Sequence, residues 1–251
     1  MIKVRKDLAL DDIPESLNER KTETRRNTCI RDNKYHQNKK FHERYKQEDI
    51  TEKLSKIYKN KCAFCEQKII KCENNNLEDC SSTVEHYRPK STYYWLAYSW
   101  DNLLWCCHGC NQEKDNKFKT LNEPIIYNDN FKENIHSHTQ QYNEIEKPFM
   151  INPELESILN KLTFYKGKIY STDERVKYTI ETCKLDRKEL NEKRKKVIDE
   201  VIKKVNSKKL INEDYSDIFK NLFTDIKTEE KEFISLRIWI LQNRANILEL
   251  S

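Results

Sequence analysis

Two Cys-x-x-Cys pairs constrain this chain more than any other feature. Cys62-Ala-Phe-Cys65 and Cys107-His-Gly-Cys110 offer four thiolates, the donor set of a closed tetrahedral zinc site. The pairs are 41 residues apart. A metal that takes all four ligands therefore closes a module inserted between them, rather than a short knuckle. Cys72, Cys80 and Cys106 lie near enough in sequence to substitute for a ligand, whereas Cys29 and Cys183 read as ordinary buried or half-buried residues. Buried free thiols and a redox dithiol are the competing uses of the same pairs.

Composition limits what surrounds such a module. Charged residues make up 35% of the chain, apolar residues 36% and aromatics 10%, with only 2 Gly and 5 Pro. The aromatic share points to a packed fold under a heavily charged surface, and the scarcity of Gly and Pro excludes a collagen-like or low-complexity chain. No apolar run approaches the roughly 18 residues of a membrane helix. The start, Met1-Ile-Lys-Val-Arg-Lys6, has no signal-peptide apolar region, so a cytoplasmic location is expected. Between Arg20 and Lys46 stand ten basic and three acidic residues. That stretch can attract a polyanion such as nucleic acid; the competing use is a solvated arm.

Periodicity divides the chain into a basic N-terminal segment (1–47), a zinc-bound module (48–120) and a mainly helical C-terminal region (121–251). Residues 1–18 read as an extended leader. Ile50, Leu54, Ile57 and Tyr58 keep helical spacing and predict a helix delivering the chain to Cys62. Residues 66–81, with Asn74-Asn75-Asn76, read as a loop. Ser82–His86 is a β-branched run closed by Pro89, Leu103–Cys106 is a second strand, and Cys110–Phe118 is a helix. The aromatics between Tyr93 and Trp105 are expected in the core, with base stacking the lesser use. Residues 121–153 read as a polar connection. Phe164–Ile169 predicts a hairpin turning at Gly167. Helix is expected after Ser171, with Leu190, Val197, Val201 and Val205 near one face of a long helix and Phe233, Leu236, Ile240 and Ile247 on the last. The expected class is α+β and mostly helical.

Between the cysteine pairs lie Glu85-His86 and Asn102, with Asn111 directly after Cys110. Singly, each is more often a surface, turn or cap residue. Together they meet the needs of phosphodiester hydrolysis. An imidazole can take a proton from water near neutral pH. A hard cation can stabilise charge on phosphate, and Mg²⁺ needs few protein oxygens because it keeps several waters. Glu85 and Asn111 can supply a carboxylate and an amide oxygen. Neighbouring strand residues point to opposite faces, so Glu85 and His86 can share a metal site only where the strand ends or kinks.

Cys62-x-x-Cys65, Glu85-His86-Tyr-Arg-Pro-Lys90, Trp100-Asp-Asn102-Leu-Leu and Cys107-x-x-Cys110-Asn111-x-x-Lys114 resemble the HNH endonuclease family, whose core is a ββα-metal module. The resemblance implies a general base at His86, an acidic metal ligand at Glu85, a loop-ordering and base-orienting residue at Asn102, and a final metal ligand at Asn111. Asn in that last place matches the H-N-N subset; Glu before the base stands where Asp is commoner. A looser likeness runs through Tyr87–Ser91, Tyr94–Tyr98 and Thr179-Ile180 … Leu185-Asp186-Arg187 … Leu190 … Arg194. It resembles the HNH subgroup that forms nuclease subunits of bacterial anti-phage systems, including the PtuB component of Septu and retron-associated effectors.

The resemblance implies a metal-dependent endonuclease, with structural Zn²⁺ on Cys62, Cys65, Cys107 and Cys110, and catalytic Mg²⁺ or Mn²⁺ on Glu85 and Asn111. It also implies a partner ATPase of the ABC/SMC-like, PtuA type. The substrate it implies is nucleic acid, DNA favoured and RNA possible. Arg88, Lys90 and Lys114 are candidate contacts to flanking phosphates, solvated surface charge being the equal alternative. His108, inside the second pair, is expected to be structural. A zinc-bound, non-enzymatic adaptor for nucleic acid or a protein partner would need the cysteines and the basic stretch, but not Glu85, His86 and Asn111 in this order.

Overall fold

The computed structural model describes residues 4, 6, 8, 12–69 and 82–245. Cys72 and Cys80, most of the expected loop at 66–81, and Ile247 lie outside the described residues. The chain opens with α1 (Glu15–Asn18), α2 (Arg20–Arg31), α3 (Lys39–His42) and α4 (Glu48–Ile57). Strand β1 (Ser82–His86), strand β2 (Leu103–Cys107) and helix α5 (His108–Lys114) follow. Then come α6 (Thr139–Glu146), β3 (Thr163–Tyr165), β4 (Lys168–Tyr170), α7 (Glu174–Thr182), α8 (Lys188–Leu210), α9 (Ser216–Thr228) and α10 (Ile234–Gln242). The fold is α+β and mostly helical, with two small two-stranded antiparallel sheets among the described residues.

The basic stretch from Arg20 to Lys46 is folded. Helix α2 buries Thr22, Arg26 and Cys29 and leaves Arg20, Lys21 and Arg31 outside. Arg26 reaches the carbonyl of Tyr98 at 3.1 Å, and Tyr98 donates to the carbonyl of Phe41 at 3.2 Å. These bonds fasten the N-terminal helices to the loop between β1 and β2. Helix α4 forms where the spacing predicts it and buries Ile50 and Leu54 against β2.

Strands β1 and β2 pair with Glu85 opposite Leu104 and His86 opposite Leu103. Every residue of β2 is buried, while β1 goes from exposed at Ser82 to buried at its end. The loop between them is built from two short 3-10 turns, Tyr94–Leu96 and Trp100–Asn102. Trp95, Tyr98 and Trp100 are buried there, so the aromatic run is core. Helix α5 packs on both strands. It begins at His108, two residues before the sequence suggests, and stops at Asp115, whose φ of 44° breaks the helix well before Phe118.

One apolar cluster runs from Ile13 through the two strands to Ile240, so all three segments of the chain share a core. Long helix α8 buries Leu190, Ile198, Val201 and Val205, with Val197 half-buried beside them. The hairpin β3–β4 turns through Lys166 and Gly167, both at positive φ. No described helix is long and apolar enough to cross a membrane.

Candidate metal centre and catalytic cleft

The turn after α4 carries Cys62 and Cys65, β2 ends at Cys107, and Cys110 sits in the first turn of α5. The Ala63 N–H donates to the Trp105 carbonyl at 2.8 Å, which pins the first pair to β2 beside the second. The four sulfurs lie within 4.8 Å of one another and all four residues are buried. Cys65 Sγ and Cys107 Sγ are 3.7 Å apart. A tetrahedron with Zn–S bonds of about 2.3 Å requires sulfurs about 3.8 Å apart, so the group could hold a zinc ion. Hydrogen bonds from neighbouring thiols, Cys106 first, draw the Cys107 thiol well down. Burial pushes Cys106 well up. Cys106 sits 3.7 Å from Cys62 Sγ but is outside the group of four, so the sequence's spare ligand acts as a neighbour of the cluster.

Arg187, at the start of α8, adds a cation that sequence reasoning missed. Its guanidinium donates to Cys110 Sγ at 3.4 Å and to Cys107 Sγ at 3.8 Å. Four thiolates around a divalent ion leave a net −2, and a partly buried guanidinium beside them offsets part of that charge. The signal was present in the sequence only as one residue of a loose motif, with nothing in its spacing to tie it to the cysteines.

The second group of residues converges at the end of β1. Thr83 and Glu85 share the strand face that meets α5. Asn111 Nδ2 donates to Thr83 Oγ1 at 3.0 Å, which turns the amide oxygen of Asn111 away from the strand. Lys114, one turn further on the same helix face, donates to Glu85 Oε1 at 2.6 Å and to the His86 carbonyl at 2.8 Å. His86 belongs to the opposite strand face. Its Nε2 lies 3.0 Å from the Ala97 carbonyl, so that nitrogen carries the hydrogen and Nδ1 keeps a lone pair. The Tyr45 ring stands edge-on to the imidazole at 4.6 Å. Burial first, then the positive charge of Lys90, holds His86 well below its ordinary pKa, so the imidazole is neutral at pH 7.

Because the strand ends at His86, both residues open onto one cleft of about 440 Å³. Lys90, His108, Asn111 and Asp115 also line it. Asn102 is buried one layer behind. Its side chain accepts from the Arg88 N–H at 2.8 Å and donates to the carbonyls of Arg88 and Leu96 at 3.1 and 3.2 Å. It thus fixes the backbone on both sides of the His86–Ala97 bond without touching the imidazole.

Three expected phosphate contacts fare differently. Lys90 is half-buried on the cleft wall, its ammonium 5.6 Å from the Tyr45 ring centre. Arg88 departs from the expectation: its guanidinium and the Glu146 carboxylate pair at 2.7 Å, both with no side-chain exposure. It lies between 5.3 and 5.7 Å from the rings of Tyr87, Tyr93, Phe118 and Tyr142. A guanidinium so enclosed has no open side for a flanking phosphate. Lys114 departs likewise, being fully buried on Glu85. His108 is half-buried on the cleft rather than enclosed among the cysteines.

A divalent ion at this cleft would have Glu85 and Asn111 as its hard-oxygen donors, a set that suits Mg²⁺ or Mn²⁺ and not zinc. The amide orientation set by Thr83 fits that use. Among the described residues, no group of three His, Cys, Asp or Glu ligands gathers besides the four cysteines.

No family model matches the chain. Among curated proteins, it is 37% identical over 95 residues to the Septu protein PtuB of Bacillus mycoides (strain KBAB4), covering 32% of this chain and 30% of that protein. It is 38% identical over 73 residues to the Septu protein PtuB of Bacillus thuringiensis, covering 29% of this chain and 26% of that protein. The matches thus span less than a third of either relative's length. Across that stretch the PtuB resemblance drawn from the motifs is borne out: the chain is similar to the PtuB proteins of Septu.

Proposed function

We propose that the chain is a metal-dependent HNH-type endonuclease that hydrolyses phosphodiester bonds of nucleic acid, DNA ahead of RNA. It would serve as the nuclease subunit of a Septu-like anti-phage assembly beside an ABC/SMC-like ATPase of PtuA type. One observation carries the reading: a neutral buried imidazole, a carboxylate and an oriented amide, drawn from a strand end and a helix, open onto one cleft. The cysteine cluster supports it by fastening the start of α5 and the end of β2, the strand paired with β1, to the turn after α4.

The roles follow from the geometry. His86, held through Nε2 by Ala97, accepts a proton from the attacking water. Its neutrality at pH 7 keeps the accepting lone pair available. Asn102 holds the loop that supplies the Ala97 carbonyl. Asn111 and Glu85 would hold the divalent ion, which would neutralise charge on the phosphate. Lys90 is the cation on the cleft wall best placed for a phosphate oxygen. A zinc ion on the four cysteines would have no open ligand position and would be structural.

The test is cleavage of DNA and RNA pools by the protein purified alone and with a PtuA-type ATPase, with Mg²⁺ or Mn²⁺ against EDTA. His86→Ala is expected to abolish metal-dependent cleavage while zinc content is kept; its lost buried contacts to Ala97 and Tyr45 lower the unfolding temperature, so cleavage is compared well below it. Undiminished cleavage by His86→Ala would refute the base assignment. Glu85's engagement with Lys114 is the observation that favours the adaptor reading. Binding of nucleic acid with no product under any metal would decide for the adaptor.

A further inference from the structure

Resting on that reading, we propose that Lys114 is a built-in counter-cation for Glu85, and that it makes the cleft take up its divalent ion together with a phosphodiester rather than alone. The ammonium of Lys114 is fully buried and stands 2.6 Å from Glu85 Oε1. It is fixed there by a second bond to the His86 carbonyl and by its place one turn from Asn111 on α5. No rotation into solvent is open to it without uncovering the carboxylate. A metal would have to share the Glu85 carboxylate, whose charge is already balanced by an ammonium in contact with it.

Charge around the cleft points the same way. Glu85 and Asp115 supply two negative groups, and Lys114 and Lys90 two positive ones. Asn111 adds no charge. A divalent ion entering alone would meet a charge-balanced site in which the Glu85 carboxylate is shared with an ammonium, beside an amide oxygen and the Asp115 carboxylate, and would be repelled by that ammonium a few ångströms away. Exposed acidic cages bind divalent ions by excess negative charge; this cleft has none. A phosphodiester brings one negative charge and two non-bridging oxygens, supplying both the missing charge and the missing ligands. The free protein would then hold little metal, and the ion would be assembled on the scissile group. Lys114 acts through Glu85 and is a positioning residue in this scheme, not one that touches the reacting atoms.

The experiment reads Mn²⁺ binding by electron paramagnetic resonance on zinc-loaded protein carrying His86→Ala, so that the probe is not cut. Binding is measured alone and with excess short duplex DNA, single-stranded DNA or single-stranded RNA. Glu85→Gln marks which binding belongs to the cleft. The expected result is Glu85-dependent Mn²⁺ affinity at least about tenfold higher with one of the nucleic acids than without. Lys114→Met should raise the affinity without nucleic acid by about tenfold or more, whereas Lys114→Arg should leave it low. A merely structural lysine would give the opposite sign, since its loss would loosen the site. If Lys114→Met fails to keep its zinc, Lys114→Gln is read in its place, and the comparison with and without nucleic acid stands on its own. Equal Glu85-dependent affinity in both conditions, or no gain in the lysine variants, overturns the counter-cation role and leaves the nuclease reading intact. Absence of any Glu85-dependent Mn²⁺ binding, with or without nucleic acid, overturns both.

Discussion

Arg88 and His136 are each buried for a reason that can be measured. Arg88 gives two N–H groups to Glu146 and one to Asn143, while Glu146 also accepts from Tyr93 and from the Ile125 N–H. Removing the guanidinium leaves a carboxylate with no exposure and no counter-charge. Arg88→Met should therefore destabilise the fold by about 3–5 kcal/mol, read by chemical denaturation, whereas a phosphate-contact role would lower nucleic-acid affinity and leave stability alone. His136 accepts the Trp100 N–H at Nδ1 and bonds Asn18 through Nε2. Burial, then the charge of Arg26, pulls its pKa down to about 3. The unfolded chain takes up this proton below about pH 6.5, so the contribution is full above that pH and is lost progressively as pH falls toward 3. At pH 5 about 2 kcal/mol of it is gone. His136→Gln has no such proton to gain, so its stability deficit relative to the unaltered protein should narrow by about that amount between pH 7 and pH 5. A constant deficit would show that His136 is protonated in the fold.

At the scale of elements, sequence patterns gave reliable positions where a local rule is strong. Gly167 is such a case. Its φ of +85° is open to glycine, and an added Cβ would lie 2.1 Å from the Asn191 carbonyl oxygen on α8. Gly167→Ala combines backbone strain with a clash against helix backbone, so a loss of at least about 1–3 kcal/mol is expected, visible as a lowered denaturation midpoint with zinc content unchanged. Helix α4 and strands β1 and β2 were legible for similar reasons: apolar periodicity, and a β-branched run stopped by proline. Helix α6 was not. Its stretch, Thr139–Glu146, is polar, and it is helical because Tyr142 and Glu146 are drawn inward to meet Arg88. The end of α5 was equally hidden, since Asp115 adopts a positive φ that no Gly or Pro announces. At the cleft, residue types and order named Glu85, His86 and Asn111. The Lys114 and Arg88 ion pairs depend on partners 29 and 58 residues away, which spacing cannot reveal.

For the whole molecule, the decisive question is whether the four-cysteine cluster, once it holds zinc, stabilises only its own module or the entire chain. The cluster is gripped from outside the module. Arg187 donates to two of its sulfurs, and Lys193 on α8 reaches Gln67 at 3.1 Å. The Ser235 N–H and hydroxyl donate to the Glu66 carboxylate at 2.9 and 2.5 Å, and Lys61 bonds the Glu229 carbonyl. Lys193 of α8 and Ser235 of α10 thus hold the turn between Cys62 and Gln67, Glu229 just after α9 holds Lys61 before that turn, and Arg187 just before α8 holds the second cysteine pair. Releasing that turn removes partners from those helices as well, and the shared apolar cluster gives them no separate core to fall back on. Zinc removal by a chelator, or Cys107→Ser, should therefore lower the stability of the C-terminal helices together with that of the strands. Hydrogen exchange should show amide protection in α8 and α10 falling in step with that of β2, within one thermal transition. If α8 and α10 keep full protection after zinc is gone while β2 loses it, the helical region folds on its own. The contacts at Arg187, Lys193 and Ser235 would then be docking contacts between separate units rather than parts of one cooperative structure.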